Sequence, residues 1–193
     1  YIYVTIGHIA HVTGVEPAAV ECGRGRRRLV EIVAHQRRSG DEQAPDAILP
    51  VSVACVCGSD LWPYRGAQPI NGPTPMGHEY CGIVEEVGPE VRTIRRGQFV
   101  VGSFATSDNT CPHCRHGYQS SCVQREFMSE AQAPLLRVPL ADGTLVATNE
   151  VPSDDLLPSL LTTSDVLGTG WFAADAANVK PGATVAVVGD GAV

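Results

Sequence analysis

Long apolar runs are missing from this 193-residue chain. No stretch approaches the ~20 residues that a membrane-spanning helix needs, so no membrane partner is expected. Residues 1–10 lack a basic start, a long apolar middle and a clean cleavage site, so no secretory leader is read there. Positive charge is scarce as well: 14 Lys and Arg stand against 21 Asp and Glu, for a net charge of −7. The basic residues form no stripe with interleaved aromatics, so no nucleic-acid partner is expected. There is no internal repeat and no low-complexity tract.

Turn formers and cysteines are present in quantity. Twenty Gly and 14 Pro in a chain that is 44% hydrophobic predict a globular core broken by many turns. Two of the seven cysteines, Cys111 and Cys114, flank a Pro-His turn that suits a metal better than a cross-link. A reducing, cytoplasmic setting is expected. The chain opens on Tyr1 and stops at Val193 inside a glycine turn, which gives the expectation of a fragment.

Residues 1–46 resist assignment. They carry a basic cluster at 24–28 and a short helix or strand at 29–35, read as an arm. From Ala47 the pattern changes. Val51, Val53 and Cys55 alternate with smaller residues, as in a half-buried strand. Further strands are expected at 82–87 and 98–104. Asp142-Gly143 predicts a two-residue hairpin within 137–147. Short strands at this spacing indicate a barrel or a sandwich, with long loops free to carry functional groups. After Pro152 a helix is expected at 153–161, capped by Ser153, and a second at 169–177. Residues 183–188 form an apolar run of the kind buried in a parallel sheet, and it leads into Gly189-Asp190-Gly191.

Two groups of residues carry chemistry. Cys57-Gly58-Ser59-Asp60 and Gly77-His78-Glu79-Tyr80-Cys81-Gly82 offer a thiolate and an imidazole from separate loops, with a hydroxyl beside the thiolate. A catalytic zinc takes three protein ligands and leaves one position open, so Cys57 and His78 are two candidates. Each alone would be an ordinary cysteine or loop histidine. Asp60 is available to orient the imidazole. The second group, Asp108-x2-Cys111-x2-Cys114-x7-Cys122, has the spacing of a closed zinc site. Asp108 competes between ligand and turn residue in Ser107-Asp108-Asn109-Thr110. His113 and His116 are expected to face solvent. A rubredoxin-like iron site would need a second Cys-x2-Cys pair, which is absent.

Cys57-Gly58-Ser59-Asp60 followed by Gly77-His78-Glu79-x2-Gly82-x5-Gly88-x2-Val91 resembles the zinc-containing alcohol dehydrogenases of the medium-chain dehydrogenase/reductase superfamily. The resemblance covers residues 47–193 and leaves 1–46 aside. It implies a mainly β fold: a GroES-like, partly open β-barrel over 47–160. Residues 161–193 would be a connecting helix and the first strand and turn of an α/β Rossmann cofactor domain. It implies Asp165 as the third ligand of the catalytic zinc, against a helix cap or solvated acid. Glu79 becomes a supporting or exchangeable ligand, and Ser59 the acceptor of the substrate's hydroxyl proton. Many relatives pass that proton to a histidine three residues on, where this chain has Trp62. Thr169 would lie near the nicotinamide, and Gly189 and Gly191 would open the dinucleotide fingerprint. Relatives with a structural zinc use four cysteines, and Asp108 stands in the first place here.

The activity implied is hydride transfer between a small alcohol or aldehyde and NAD or NADP, with Zn2+ in both sites. The family pairs its subunits through the cofactor domain, so a homo-oligomer is expected only with that domain complete. As given, the chain is expected to bind the cofactor poorly. A second hypothesis is a truncated zinc-binding remnant without turnover. A third, a quinone-reductase-like relative without catalytic zinc, is opposed by the intact Cys57 and His78.

Overall fold

In a computed structural model, residues 3–5, 44–72, 74–189 and 191–193 are described. The expected features at 24–28 and 29–35 lie outside them. Strand β1 (Tyr3–Thr5) pairs antiparallel with β2 (Ala47–Cys55). After β2 come a 3-10 turn (Gly58–Asp60), helix α1 (Leu61–Tyr64), and strands β3 (Tyr80–Ile83), β4 (Glu86–Val87) and β5 (Phe99–Gly102). Helix α2 (Pro112–Arg115), β6 (Leu135–Val138), α3 (Ala141–Thr144) and β7 (Leu145–Ala147) complete the sheet region. Helices α4 (Leu157–Leu161) and α5 (Val166–Ala176) follow.

The long β2 organises the sheet. Its first half pairs with β4 and β6, its second half with β1 and β3, and β3 continues to β5 and β7. One strand serving two sets of partners curls the sheet into the partly open barrel expected. A bulge between Val51 and Val53 shifts the register against β3: Val51 faces Gly82, but Val53 faces Cys81. The extra residue reverses which side chains point to which face. Ala47, Leu49, Val51 and Ala54 join Tyr80, Val100, Leu136 and Val138 in the main core. Val53 and Cys55 face Cys81, Phe99, Val101 and Leu161 on the other side. Full burial of an aliphatic side chain such as Leu49 or Leu136 is worth roughly 1.5–3 kcal/mol.

Several expected elements differ. Residues 82–87 are not one strand, because the chain changes partners: the Val84 amide donates to Gln98 O and the Glu85 amide to Ile48 O. There is no hairpin at 137–147. Asp142-Gly143 lies in α3, and the flanking strands diverge, β6 to β2 and β7 to β5. Tertiary bonds override the local turn, since the Asp142 carboxylate accepts the Arg92 and Thr93 amides at 2.8 Å each. The helix expected at 153–161 begins at Leu157, where Pro158 needs no amide partner, and Ser153 makes no side-chain cap. The second helix starts three residues early, at Val166. Residues 183–188 form no strand: none pairs with a neighbour, and Val188 is 100% exposed. An apolar run becomes a buried strand only where other strands flank it, and none does among the described residues.

Candidate metal centres

Three separate segments deliver one cluster. Cys57 ends β2's extension, and its amide donates to Asp60 Oδ2 at 2.9 Å, which closes the loop behind the thiol. His78 follows Gly77, whose φ of +95° favours glycine. A Cβ at Gly77 would also lie 2.8 Å from the Gln132 amide nitrogen. Asp165 is brought in by its neighbour Ser164, which is buried against the sheet. The Ser164 hydroxyl accepts from the Tyr80 amide at 3.3 Å and donates to Gly102 O. Ligand atoms of Cys57, His78, Glu79 and Asp165 all lie within 4.8 Å of one another.

The geometry around His78 is directional. Nε2 faces Asp165 Oδ2 at 3.3 Å and Glu79 Oε1 at 3.9 Å, while Nδ1 faces Asp60 Oδ1 at 3.6 Å. The Asp165 carboxylate, then Asp60, hold the imidazole pKa up to about 10 against the opposing effect of burial. The His78 bond in turn lowers Asp165. Glu79 is 1% exposed and its Oε1 has no hydrogen-bond partner. A buried carboxylate oxygen without a hydrogen bond, beside a second acid and a thiol, suits a cation. One sulfur, one nitrogen and one oxygen, from Cys57, His78 and Asp165, fit zinc with an open position, and Glu79 lies within reach as a further donor.

The second cluster joins Asp108, Cys111, Cys114 and Cys122, again within 4.8 Å. Cys111 precedes α2 with Pro112 at its start, so the thiols of Cys111 and Cys114 turn to one side, 3.5 Å apart. A tetrahedral zinc with bonds of ~2.3 Å would separate two sulfurs by roughly 3.8 Å. The Cys122 sulfur accepts the Asp108 amide at 3.4 Å and the Gln124 amide at 3.3 Å. The Cys114 and Val123 amides lower the Cys111 pKa, whereas burial and Cys111 push Cys114 up to about 12. Asp108 Oδ1 accepts the Thr110 and Cys111 amides at 2.8 and 2.9 Å. Those bonds bring its pKa down to about 2. Asp108 thus forms the turn and also stands within reach of the three thiols. His113 and His116 are exposed. All six described cysteines are free.

Ser59 lies exposed on the 3-10 turn after Cys57, with the exposed Trp62 beyond it. The Thr169 hydroxyl donates to Asp165 Oδ1 at 2.8 Å, which leaves Oδ2 turned toward His78. Gly189 takes φ +103°, but neither it nor Gly191 has another group within 4 Å of a built Cβ. Both glycines therefore stand in open space among the described residues.

Sequence reasoning missed Ser164, Gln132 and Cys55. Gln132 donates to Asp60 Oδ2 at 3.2 Å, and the Cys55 thiol to Glu79 Oε2 at 2.9 Å. Burial and then the Glu79 carboxylate push the Cys55 thiol pKa upward. For Cys55 the signal was its place at the end of an alternating strand. For the other two no local signal exists.

Comparison with known proteins gives concordant results. Residues 43–160 match the family described as the alcohol dehydrogenase GroES-like domain. A zinc-type alcohol dehydrogenase B of Aspergillus flavus is 36% identical over 138 residues, 69% of this chain and 32% of that protein. A probable zinc-binding alcohol dehydrogenase of Mycobacterium tuberculosis is 36% identical over 156 residues, 77% of this chain and 40% of that protein. Among solved structures, an alcohol dehydrogenase from Thermus sp. ATN1 superposes with a TM-score of 0.67 at 29% identity, over 81% of this chain and 46% of that one. The apo form of zinc-dependent alcohol dehydrogenase 2 from Streptococcus pneumonia gives 0.59 at 31% identity, over 80% and 43%. The chain thus spans about a third to a half of the length of these proteins.

Proposed function

Because this chain belongs to the alcohol dehydrogenase GroES-like domain family, we propose that it is the zinc-binding catalytic part of an oxidoreductase acting on an alcohol or aldehyde. The observation that carries the proposal is the convergence of Cys57, His78 and Asp165 beside the orphaned, buried Glu79 Oε1. Cys57 Sγ, His78 Nε2 and Asp165 Oδ2 would hold the catalytic zinc; Asp108, Cys111, Cys114 and Cys122 would hold the structural one. When bound, the catalytic zinc supplies a Lewis acid for the substrate oxygen, and NAD or NADP supplies the hydride acceptor or donor.

The chain's own residues supply the rest. Asp60 takes the Nδ1 side of His78 and leaves Nε2 for the metal. Thr169 fixes Asp165 through Oδ1 and leaves Oδ2 for the same purpose. In this reading Thr169 also borders the nicotinamide. Ser59 Oγ takes the substrate's hydroxyl proton. Trp62 cannot carry it further, because an indole N–H only donates; as Ser59 Oγ accepts the proton, Ser59 gives its own hydroxyl proton to water, to which it is exposed. Gly189 and Gly191 belong to the dinucleotide end of the protein, and no step is assigned to them. No helix among the described residues is long and apolar enough to cross a membrane. The proposed partners are a small substrate and, with a complete cofactor domain, further copies of the subunit. The proposed setting is the cytoplasm.

A second reading is a zinc-binding chain without turnover. Zinc per chain, followed by NAD(P)H absorbance with a panel of alcohols, separates the two. Two zinc ions and turnover support the enzyme, whereas two zinc ions without turnover support the second reading. Cys57→Ser is expected to remove one zinc and keep the other; loss of both would sink the assignment of two independent centres.

A further inference from the structure

The register of β2 against β3 places Ala54 opposite Tyr80. One residue further along β2 and one residue back from β3, the same register sets Cys55 opposite Glu79. Directly opposed residues on antiparallel strands lie close enough for their side chains to interact. Both are almost fully enclosed, Cys55 at 2% and Glu79 at 1% exposure, and the thiol donates to Oε2 at 2.9 Å. Oε1, the other oxygen of the same carboxylate, has no hydrogen-bond partner among the described residues and faces His78 Nε2 at 3.9 Å. The bulge after Val51 makes this possible, because it turns Cys55 to the face where Glu79 lies.

We propose that Cys55 is a positioning residue of the metal centre: its thiol holds Glu79 by Oε2 and so aims Oε1 at the space between Cys57, His78 and Asp165. The role rests on the reading of that cluster as a zinc site. Without the donor, Oε2 keeps no other hydrogen bond among the described residues, and the carboxylate turns further onto the metal or away from it. Either movement alters the metal's surroundings while leaving Cys57, His78 and Asp165 in place. A merely space-filling cysteine would be replaceable by any side chain of similar size.

Cadmium NMR of the full chain loaded with cadmium tests this. The site with one thiolate and the site with three give separate resonances, and Cys57→Ser identifies the former by its loss. Cys55→Val fills the volume but removes the donor. It is expected to shift the one-thiolate resonance and to weaken zinc retention there by about 10-fold, the size typical of a lost partner behind a ligand. Cys55→Ser retains a donor and is expected to restore both, with the three-thiolate resonance unmoved throughout. Should the Val variant fail to fold, Cys55→Ala set against Cys55→Ser makes the same comparison. An unshifted resonance and unchanged zinc retention on removal of the donor would overturn the positioning role alone. Absence of any one-thiolate resonance in the unsubstituted chain would overturn the zinc reading of that cluster, and this role with it.

Discussion

At Asp108 a single carboxylate meets both a turn and a thiol cluster. Its Oδ1 is occupied by the Thr110 and Cys111 amides, and it shares a 4.8 Å neighbourhood with three buried thiols. The two functions can be separated chemically. Asparagine keeps a carbonyl acceptor for the turn and loses the charge; alanine loses both. Asp108→Asn is expected to leave the loop as protease-resistant as before but to release its zinc faster to a chelator. Asp108→Ala is expected to fail on both counts. If both variants retain zinc like the parent chain, Asp108 acts as a turn residue and three thiols suffice. At this scale the sequence was informative: Cys111, Cys114 and Cys122 announce themselves by spacing. His78 does so through the glycine before it, whose left-handed φ no other residue adopts readily. Ser164 and Gln132 were illegible, because each acts on groups distant in sequence: Ser164 on Tyr80 and Gly102, Gln132 on Asp60.

The element that departs furthest from its local propensity is α3. Asp142-Gly143 suits a hairpin, yet Asp142 reaches about fifty residues back to collect four bonds: the Arg92, Thr93 and Ile94 amides and the Thr93 hydroxyl. Partial burial pushes its pKa up, but those donors outweigh it and bring the carboxyl below its ordinary value. A lowered folded-state pKa gives stability that is fully present above the unfolded value, about 3.9. That stability is lost as pH falls through the lowered value. Asp142→Ala should cost about 1 kcal/mol at neutral pH, the net worth of a few partly exposed hydrogen bonds. It should also flatten the decline of stability in acid. Urea unfolding of both chains at neutral pH and below pH ~4 checks this; parallel pH profiles would mean that Asp142 adds nothing to acid sensitivity.

Across the described residues, the barrel and its two side-chain clusters are largely covered, whereas residues 183–188 are exposed. Trp171 and Phe172 on α5 are 77% and 68% exposed, and Val188 wholly so. An apolar surface of this kind predicts binding of the dye ANS. Replacing both aromatics by serine should reduce that binding with no change in zinc content; undiminished dye fluorescence would place the apolar exposure elsewhere. The same contrast marks what each level of description decides. Residue types and their spacing picked out the Cys111, Cys114 and Cys122 group, and the family resemblance supplied the barrel, because cysteines at short, fixed intervals are a signal that sequence carries by itself. Placing Asp165 in the His78 cluster needed that resemblance, since the two lie 87 residues apart and no spacing rule joins them. Only the tertiary structure decided that β2 would be shared between two halves of the sheet. It also decided that a bulge would turn Cys55 toward Glu79, and that Ser164 would carry Asp165 to the imidazole. Those outcomes depend on register and burial between distant segments, where a shift of one residue reverses every side chain.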